Sequence, residues 1–186
     1  MTAKRKLKPF EWGHGTSILE IFLEPTCPFS AKAFGKIDSL ISAAGSDRVK
    51  VIVRFHSQPW HMFSGIVLRS ILAASTLDNG RDNSIAVMKA IYANREEFEF
   101  INHCGGPNLN ASPNDIIKRI FNFSGCDVGD AFQNYKLQNQ IKWYAKYARQ
   151  NGVHTSPTFM INGLISSKIS SGDEVDRWKL ELQLDN

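Results

Sequence analysis

Cys27 stands where a nucleophilic thiolate is expected. It begins the segment Cys27-Pro28-Phe29-Ser30, which follows an apolar run and precedes an amphipathic one. Because proline suits the first position of a helix, Cys27 is predicted at or near the helix N-cap. Unpaired amide N–H groups and the helix dipole favour a thiolate there. The Ser30 hydroxyl, one turn further on, is expected to donate a hydrogen bond to the sulfur. These positions predict a reactive thiol, and the alternative is a small buried hydrophobe.

The serine at position 30 also limits this chemistry. A Cys-x-x-Ser segment lacks the second thiol that would close a disulfide within the motif. Cys27 could attack a substrate disulfide and form a mixed disulfide, but release then needs an external thiol such as glutathione, or another cysteine. The other two cysteines, Cys104 and Cys126, are predicted at helix boundaries. We interpret both as structural thiols and leave open that one of them resolves Cys27.

The elements around the motif predict a βαβ unit. The apolar run at 17–23 is typical of a buried central strand, and the branched residues at 48–55 indicate a second strand. Between them, apolar residues recur at helical spacing from Ala31 to Ile41, and Gly45 is a plausible helix end. A helix joining two strands in this way makes the strands parallel. Cys27 is therefore predicted at the carboxyl end of the first strand.

The middle of the chain shows no strand pattern. Helices are predicted over 64–77, over 83–98, from a Ser112 cap onward, and from an Asp127 cap to position 150. Strand patterns return at 158–161 and 164–169, joined by the hairpin signal Asn162-Gly163, before a terminal helix. We therefore predict a discontinuous α/β domain at 1–61 and 151–186, with an all-helical insertion at 62–150. Its sheet is predicted to be mixed and four-stranded.

Two motifs together carry a family resemblance. The Cys-Pro-Phe-Ser segment and, about 130 positions later, Gly-Val-His-Thr-Ser-Pro-Thr-Phe-Met-Ile-Asn-Gly resemble the DsbA-like branch of the thioredoxin superfamily. Proteins described as protein-disulfide isomerases share this pattern. The resemblance implies a thioredoxin-like α/β fold with a helical insertion. It also implies that Pro157 follows a cis peptide bond, whereas bare X–Pro statistics favour trans. In that family the corresponding loop, here Thr155, Ser156 and Pro157, shapes the substrate groove, and Ser156 would offer backbone hydrogen bonds to a substrate peptide.

The predicted function follows from this resemblance and from its one departure. The dithiol members of the family carry a second cysteine where this chain has Ser30, so the oxidase role, which needs that second thiol, is not part of the prediction. We predict a thiol–disulfide oxidoreductase or protein-disulfide isomerase that uses Cys27 as its single nucleophile. Pro28 and Phe29 are expected to contact substrate. Trp60 and His61 follow the second strand at the same sheet edge; they either contribute to the site or cap the start of the insertion.

Two other classes of function remain open. One is a glutathione-dependent isomerase or transferase of the kappa or 2-hydroxychromene-2-carboxylate isomerase type. Those enzymes share the insertion topology but usually carry serine where this chain has Cys27. The other is a non-catalytic binding module that kept the fold and lost turnover. The predicted partners are a disulfide-bearing protein or a low-molecular-weight thiol, with glutathione or another external thiol as co-substrate and no bound cofactor.

Composition sets further expectations. The chain has 186 residues, 42% of them hydrophobic, and a net charge of +4. No apolar run approaches the ~20 residues of a membrane span, and the basic cluster at 4–8 is interpreted as a solvated tail, so neither a membrane nor a nucleic acid is a predicted partner.

No apolar leader follows that cluster, which predicts a cytoplasmic location, or a periplasmic one if a leader has been removed. His103 and Cys104 match no zinc spacing, so no metal site is predicted.

Overall fold

The computed structural model describes residues 8–184. Its centre is a five-stranded mixed sheet in the order β1-β3-β2-β4-β5. In this sheet β2 and β3 run parallel, and every other neighbouring pair is antiparallel. The strands are β1 (Glu11–Gly13), β2 (Ser17–Leu23), β3 (Val49–Phe55), β4 (Thr158–Ile161) and β5 (Leu164–Ser166). The predicted thioredoxin-like α/β class is confirmed, with one strand more than the four expected.

The additional strand is β1, which pairs with the outer side of β3 through Glu11 and Ile52. Three residues are too few to show the alternation by which a strand is recognised. At the other end of the sheet, β5 stops at Ser166 and does not continue to 169 as predicted. Both differences lie at the sheet edges, so the central strands that position the site are those expected.

The central strand β2 is buried on both faces. Leu19, Ile21 and Leu23 point into the main hydrophobic core. Phe22 points to the opposite face, into a smaller cluster with Ala148 and other residues. A strand buried on both faces needs apolar residues at nearly every position, which is why the run at 17–23 is almost continuously apolar.

Eight helices and two short 3-10 helices surround the sheet in the described part of the chain. The helices are α1 (Pro28–Gly35), α2 (Ile37–Ala44), α3 (Ser64–Ala74), α4 (Gly80–Ala93), α5 (Pro113–Ser124), α6 (Gly129–Phe132), α7 (Leu137–Gln150) and α8 (Val175–Glu181). The 3-10 helices cover Arg95–Phe98 and Pro107–Asn110. Helices α3 to α7 all lie between β3 and β4, in the stretch where no strand was predicted.

Three predicted helices are interrupted. The helix expected from position 28 to Gly45 divides at Lys36, whose ammonium group donates to the carbonyls of Ser171 and Asp173. The helix expected from Asp127 divides into α6 and α7, where the Asn134 side chain accepts from the Lys136 N–H at 3.0 Å. The helix expected over 83–98 ends at Ala93, and a 3-10 helix follows. Local side-chain and long-range hydrogen bonds thus override the continuous apolar periodicity.

The predicted start of α5 is confirmed in detail. Ser112 is its N-cap, with Pro113 in the first turn. The Ser112 hydroxyl accepts from the Asp115 N–H at 3.3 Å, and the Asp115 carboxylate accepts from the Ser112 N–H at 2.8 Å. This reciprocal pair is a capping box formed by aspartate in place of glutamate.

The C-terminal helix holds the end of the sheet in place. Trp178 of α8 is fully buried, packs edge-on against Phe159 of β4 with ring centroids 5.1 Å apart, and donates from Nε1 to the Ser170 carbonyl at 2.9 Å. The position of β4, and of the loop that precedes it, therefore depends on this helix.

The sequence analysis expected no membrane span and a solvated basic tail. Between residues 8 and 184, no helix has both the length and the apolar character needed to cross a bilayer. The basic cluster at 4–8 lies outside the described residues, apart from Lys8.

Candidate active site at the start of helix α1

Cys27 is the N-cap residue of α1, as predicted. Its backbone is extended, with φ −72° and ψ 132°, and Pro28 occupies the first turn. The Cys27 carbonyl accepts from the Ala31 N–H at 3.0 Å, which is the first hydrogen bond of the helix. Strand β2 ends only four residues earlier, at Leu23. The thiol is therefore held where the central strand turns into a helix N-terminus, and its residue is 5% exposed.

The loop before β4 forms the second wall of the site. Strand β4 pairs antiparallel with β2, with Thr158 opposite Phe22, and this pairing brings the loop beside Cys27. The Ser156–Pro157 peptide bond is cis, so the expectation from the family resemblance is confirmed and the trans bond favoured by bare statistics is wrong. Cys27 Sγ donates to the Ser156 carbonyl at 3.8 Å. Two segments 129 positions apart thus meet at the sulfur.

Ser30 is placed differently from the expectation. It is fully buried, and its hydroxyl oxygen accepts from the Glu24 backbone N–H at 3.1 Å. Within residues 8–184, no hydrogen bond joins Ser30 Oγ to Cys27 Sγ; the sulfur bonds to Ser156 instead. The serine ties the start of α1 to the turn that follows β2. Its contribution to the structure is therefore the position of Cys27, and a direct catalytic role for Ser30 stays a prediction.

An open groove lies next to Phe29, two positions after Cys27. Phe29 is 56% exposed although Cys27, two positions earlier, is buried, so it presents an apolar surface at the mouth of the site. The groove between Phe29 and the cis-proline loop has a volume of about 340 Å³ and extends to the edge strand β5. Its lining includes Phe29, Thr155, Pro157, Thr158, Ile165 and Ser167.

The loop between β2 and Cys27 is built around a buried carboxylate that the sequence analysis missed. Glu24 is fully buried, and its carboxylate accepts four hydrogen bonds. These come from the N–H and hydroxyl of Thr26, each at 3.1 Å, from the Gln58 N–H at 2.8 Å and from the Ser64 hydroxyl at 2.6 Å. Burial raises the pKa of Glu24, against the lowering effect of these hydrogen bonds. The available signal was an acidic residue directly after a buried strand.

The helical segment after β3 holds the same loop from the other side. Tyr92 of α4 donates to the Glu24 carbonyl at 3.3 Å, and Arg95 Nε donates to the Thr26 carbonyl at 2.8 Å. Burial, with the nearby Glu24 and Cys27 adding to it, raises the pKa of Tyr92 well above its ordinary value. The Tyr92 hydroxyl is therefore a fixed neutral donor. The backbone that presents Cys27 is thus fastened on both sides.

Trp60 and His61 have separate positions. The Trp60 side chain is about half exposed, whereas His61 is 7% exposed. His61 Nδ1 lies 2.9 Å from the Thr26 hydroxyl, so the histidine contacts the residue just before Cys27. No described hydrogen bond joins either side chain to the sulfur. Burial, with smaller effects from His103 and Arg95, lowers the pKa of His61 to about 4, which leaves its imidazole neutral near neutral pH.

The remaining histidines and cysteines differ in their relation to the site. His154 is exposed, and His56 Nε2 is buried without a hydrogen-bond partner among the described residues. Cys126 is buried, which raises the pKa of its thiol. Cys104 is exposed and follows His103, whose ring centroid is 5.2 Å from that of His61. Of the two additional thiols, Cys104 therefore lies on a segment that contacts the surroundings of Cys27.

The central parallel pair β2–β3, the cysteine at the start of α1 and the cis-proline opposite its sulfur define a thioredoxin-type site. A family model described as Thioredoxin matches residues 16–178, and the chain belongs to this family. A solved structure from Pseudomonas syringae, provisionally assigned as a protein-disulfide isomerase, is 56% identical, with 94% of this chain and 97% of that chain covered and a TM-score of 0.92.

More distant solved structures share the fold. DsbA2 of Pseudomonas aeruginosa is 15% identical, with 96% of this chain and 97% of that chain covered and a TM-score of 0.65. BdbD of Bacillus subtilis is 11% identical, with 96% and 93% covered and a TM-score of 0.68. No curated protein matches the sequence. At these identities the likeness shows the fold, and the chain has the DsbA-like form of the thioredoxin fold.

Proposed function

We propose that the protein is a thiol–disulfide oxidoreductase or isomerase in which Cys27 is the only nucleophile. The observation that carries this proposal is the position of the Cys27 sulfur, at a helix N-terminus and 3.8 Å from the Ser156 carbonyl of the cis-proline loop. Helix N-termini favour thiolates, and thiolates are the attacking species in disulfide exchange. The relative from Pseudomonas syringae, with its provisional assignment as a protein-disulfide isomerase, supports the same class.

The reaction proceeds in two exchanges. The Cys27 thiolate attacks one sulfur of a substrate disulfide, forms a mixed disulfide with it, and releases the other substrate sulfur as a thiolate, which takes up a proton. A second thiolate then attacks the mixed disulfide and restores Cys27. If that second thiolate belongs to glutathione, the product is a substrate–glutathione or glutathione disulfide; if it belongs to the substrate itself, the net change is isomerisation. Neither exchange needs a bound cofactor.

Substrate is proposed to lie across the groove beside the sulfur. Phe29 supplies an exposed apolar surface on one side, and Thr155 to Pro157 supply backbone groups on the other. Backbone hydrogen bonds would hold an extended peptide with little regard to its side chains. A disulfide-bearing protein fits such a groove, and a low-molecular-weight disulfide such as oxidised glutathione would occupy only the part nearest Cys27.

Ser30 directs the proposal toward a single-thiol mechanism. Its buried hydroxyl is held by the Glu24 N–H, so no thiol follows Cys27 within its own helix turn. The mixed disulfide then persists until a second thiol arrives. Accumulation of this intermediate separates the proposal from a dithiol mechanism.

The decisive experiment is the reaction of the reduced protein with oxidised glutathione, followed by intact mass and peptide mapping. We expect one glutathione per chain to form rapidly on Cys27, and reduced glutathione to remove it. Cys27→Ala should lose the fast adduct, whereas Cys126→Ala should keep it because Cys126 is a buried thiol outside the site. An adduct that maps to another cysteine while Cys27 stays unmodified would refute the proposal.

Turnover distinguishes the remaining classes. Reduction of a mixed glutathione–peptide disulfide should depend on Cys27 and on added glutathione. Isomerisation of a non-disulfide substrate by glutathione, retained in Cys27→Ala, would instead favour an enzyme of the kappa or chromene-carboxylate type. An adduct without any turnover would favour a binding module.

A further inference from the structure

Three potential metal ligands converge beside the active-site loop. His61, Glu99 and His103 each offer one ligand atom, and these atoms lie within 4.8 Å of one another. They come from three places: the loop after β3, the segment after the Arg95–Phe98 helix, and a tight turn. His61 Nδ1 is 4.0 Å from Glu99 Oε2, and the His61 and His103 ring centroids are 5.2 Å apart. The fold therefore brings together two imidazoles and a carboxylate whose spacing in the sequence matches no metal-binding motif.

The turn that carries His103 has an unusual backbone. Asn102 and His103 both have positive φ, at 50° and 62°. Positive φ is uncommon for residues other than glycine, and here two such residues follow each other. The turn is closed by hydrogen bonds between Ile101 and Gly105 in both directions, at 2.9 and 3.0 Å. This local structure directs the His103 ring toward His61.

The free lone pairs of the cluster point to a ligand. Arg95 NH2 donates to Glu99 Oε1 at 2.7 Å, which leaves Oε2 facing His61. The Thr26 hydroxyl has one proton and bonds both to a Glu24 carboxylate oxygen and to His61 Nδ1. If that proton goes to Glu24, His61 donates from Nδ1, so Nε2 is its ligand atom, and the 4.0 Å contact of Nδ1 with Glu99 Oε2 shows only that the ring lies beside the carboxylate. Metal-bound histidines usually donate their other N–H in this way.

The charge state of the cluster suits a cation. Glu99 faces His61 through Oε2, so the cluster presents a carboxylate oxygen as well as imidazole nitrogens to a cation. Arg95 is the unfavourable neighbour, but its guanidinium is already bound to Glu99 Oε1 and to the Thr26 carbonyl.

We propose that His61, Glu99 and His103 form a binding site for a divalent transition-metal ion of the zinc type. Zinc–nitrogen and zinc–oxygen bonds of about 2.0–2.2 Å set tetrahedral ligand atoms about 3.4 Å apart. The cluster must therefore contract by up to about 1.4 Å from its present spread of 4.8 Å. Because His103 is exposed, its side chain can move toward His61 and Glu99 without disturbing the core. Water or a substrate group would occupy the fourth position.

The ligand set selects among metals. Two imidazoles and one carboxylate suit zinc, copper, nickel and iron, whereas magnesium and calcium prefer oxygen ligands throughout. The inference does not rest on the proposed exchange reaction, because none of the three ligands is its nucleophile. Zinc binding and disulfide exchange are measured separately, so one proposal can fail while the other stands.

Zinc titration of the whole reduced protein tests the site. We expect Zn²⁺ to bind one per chain in competition with a chromophoric chelator, and His103→Ala and Glu99→Gln each to weaken binding at least tenfold. The matched control is His14→Ala, which removes an exposed histidine far along the chain from the cluster. Circular dichroism checks that each variant remains folded. No zinc binding at all, or equal affinity in both cluster variants and the control, overturns the proposal.

Cobalt substitution identifies the ligands. A site of two imidazoles and a carboxylate should give Co²⁺ absorption in the visible without an intense sulfur-to-cobalt band in the near ultraviolet. Cys104 follows His103 directly, so Cys104→Ser is tested in parallel and should leave the spectrum unchanged. A strong sulfur band that disappears in Cys104→Ser or in Cys27→Ala would show a thiolate site and overturn the proposed ligand set.

Discussion

Replacing Glu24 by glutamine should destabilise the protein by an amount that depends on pH. The carboxylate accepts the backbone N–H of Thr26 on one oxygen and that of Gln58 on the other. A glutamine amide nitrogen accepts no hydrogen bond, so one of these two N–H groups loses its partner whichever way the amide is turned. The Thr26 and Ser64 hydroxyls can rotate to find another acceptor, whereas a backbone N–H has a fixed direction. One buried unsatisfied N–H costs about 1–3 kcal/mol.

The pH dependence has a definite sign. Burial raises the pKa of Glu24 in the folded protein above its unfolded value. The folded state therefore keeps a proton that the unfolded state has lost, and the stability this provides is fully present below the unfolded pKa and decreases as pH rises through the folded pKa. Glutamine does not titrate, so the Glu24→Gln protein lacks this decrease of stability with rising pH. The free-energy gap between the native protein and Glu24→Gln should thus be largest near pH 4.5 and smaller at about pH 8.

The groups that face Glu24 do not obscure this test. The Tyr92 hydroxyl stays protonated because its pKa is well above the usual value. His61, which reaches Glu24 through Thr26, has its pKa lowered to about 4 and is therefore mostly neutral above about pH 5. Comparing the two proteins in a Cys27→Ala background removes the thiol from both.

The assay is urea unfolding followed by tryptophan fluorescence at several pH values. Glu174→Gln is the control, since it makes the same chemical change at an exposed position on the far C-terminal segment, and it should change stability by less than about 0.5 kcal/mol. A Glu24→Gln protein as stable as the native one at low pH, or a gap that widens as pH rises, would refute the reasoning.

Three further predictions follow from the described contacts. Ser30→Cys should form an intramolecular disulfide with Cys27 under mild oxidation, lowering the intact mass by two hydrogens; a persistent glutathione adduct would contradict this. Trp178→Ala should cost about 3–5 kcal/mol in urea unfolding because a fully buried indole and its hydrogen bond to Ser170 are lost. Ser112→Ala should cost about 0.5–2 kcal/mol by the same assay, because the α5 capping box is removed.

The parts of the site carried by continuous motifs could be predicted from the sequence. Cys27 followed by Pro28 predicts an N-cap position from local rules alone, and the structure agrees. The cis bond before Pro157 was implied only by the family resemblance, since local statistics favour trans. Pairing of β4 with β2 then brings the two segments together. Both motifs lie next to central strands, whose apolar patterns predict their positions in this sequence.

The buried network around Glu24 could not be predicted in the same way. Gln58, Ser64 and Arg95 reach the loop from positions with no regular spacing. Each is a common polar residue whose role depends only on tertiary placement. The hydroxyl of Ser30 illustrates the same limit, because its distance along the helix suggested the sulfur as its partner, whereas the turn after β2 provides a closer one, the Glu24 N–H.

The fastening of the active-site loop has a consequence for transplanting this chemistry. Glu24 and Thr26 take hydrogen bonds from Ser64, Tyr92 and Arg95, which follow 40, 68 and 69 positions later in the chain. A four-residue Cys-Pro-Phe-Ser graft into a smaller thioredoxin scaffold would leave these donors behind, and the grafted cysteine would sit on a loop with a different shape. In this protein the loop that carries the motif depends on contacts from the segment that follows β3, so a graft that keeps the loop's shape has to include that segment.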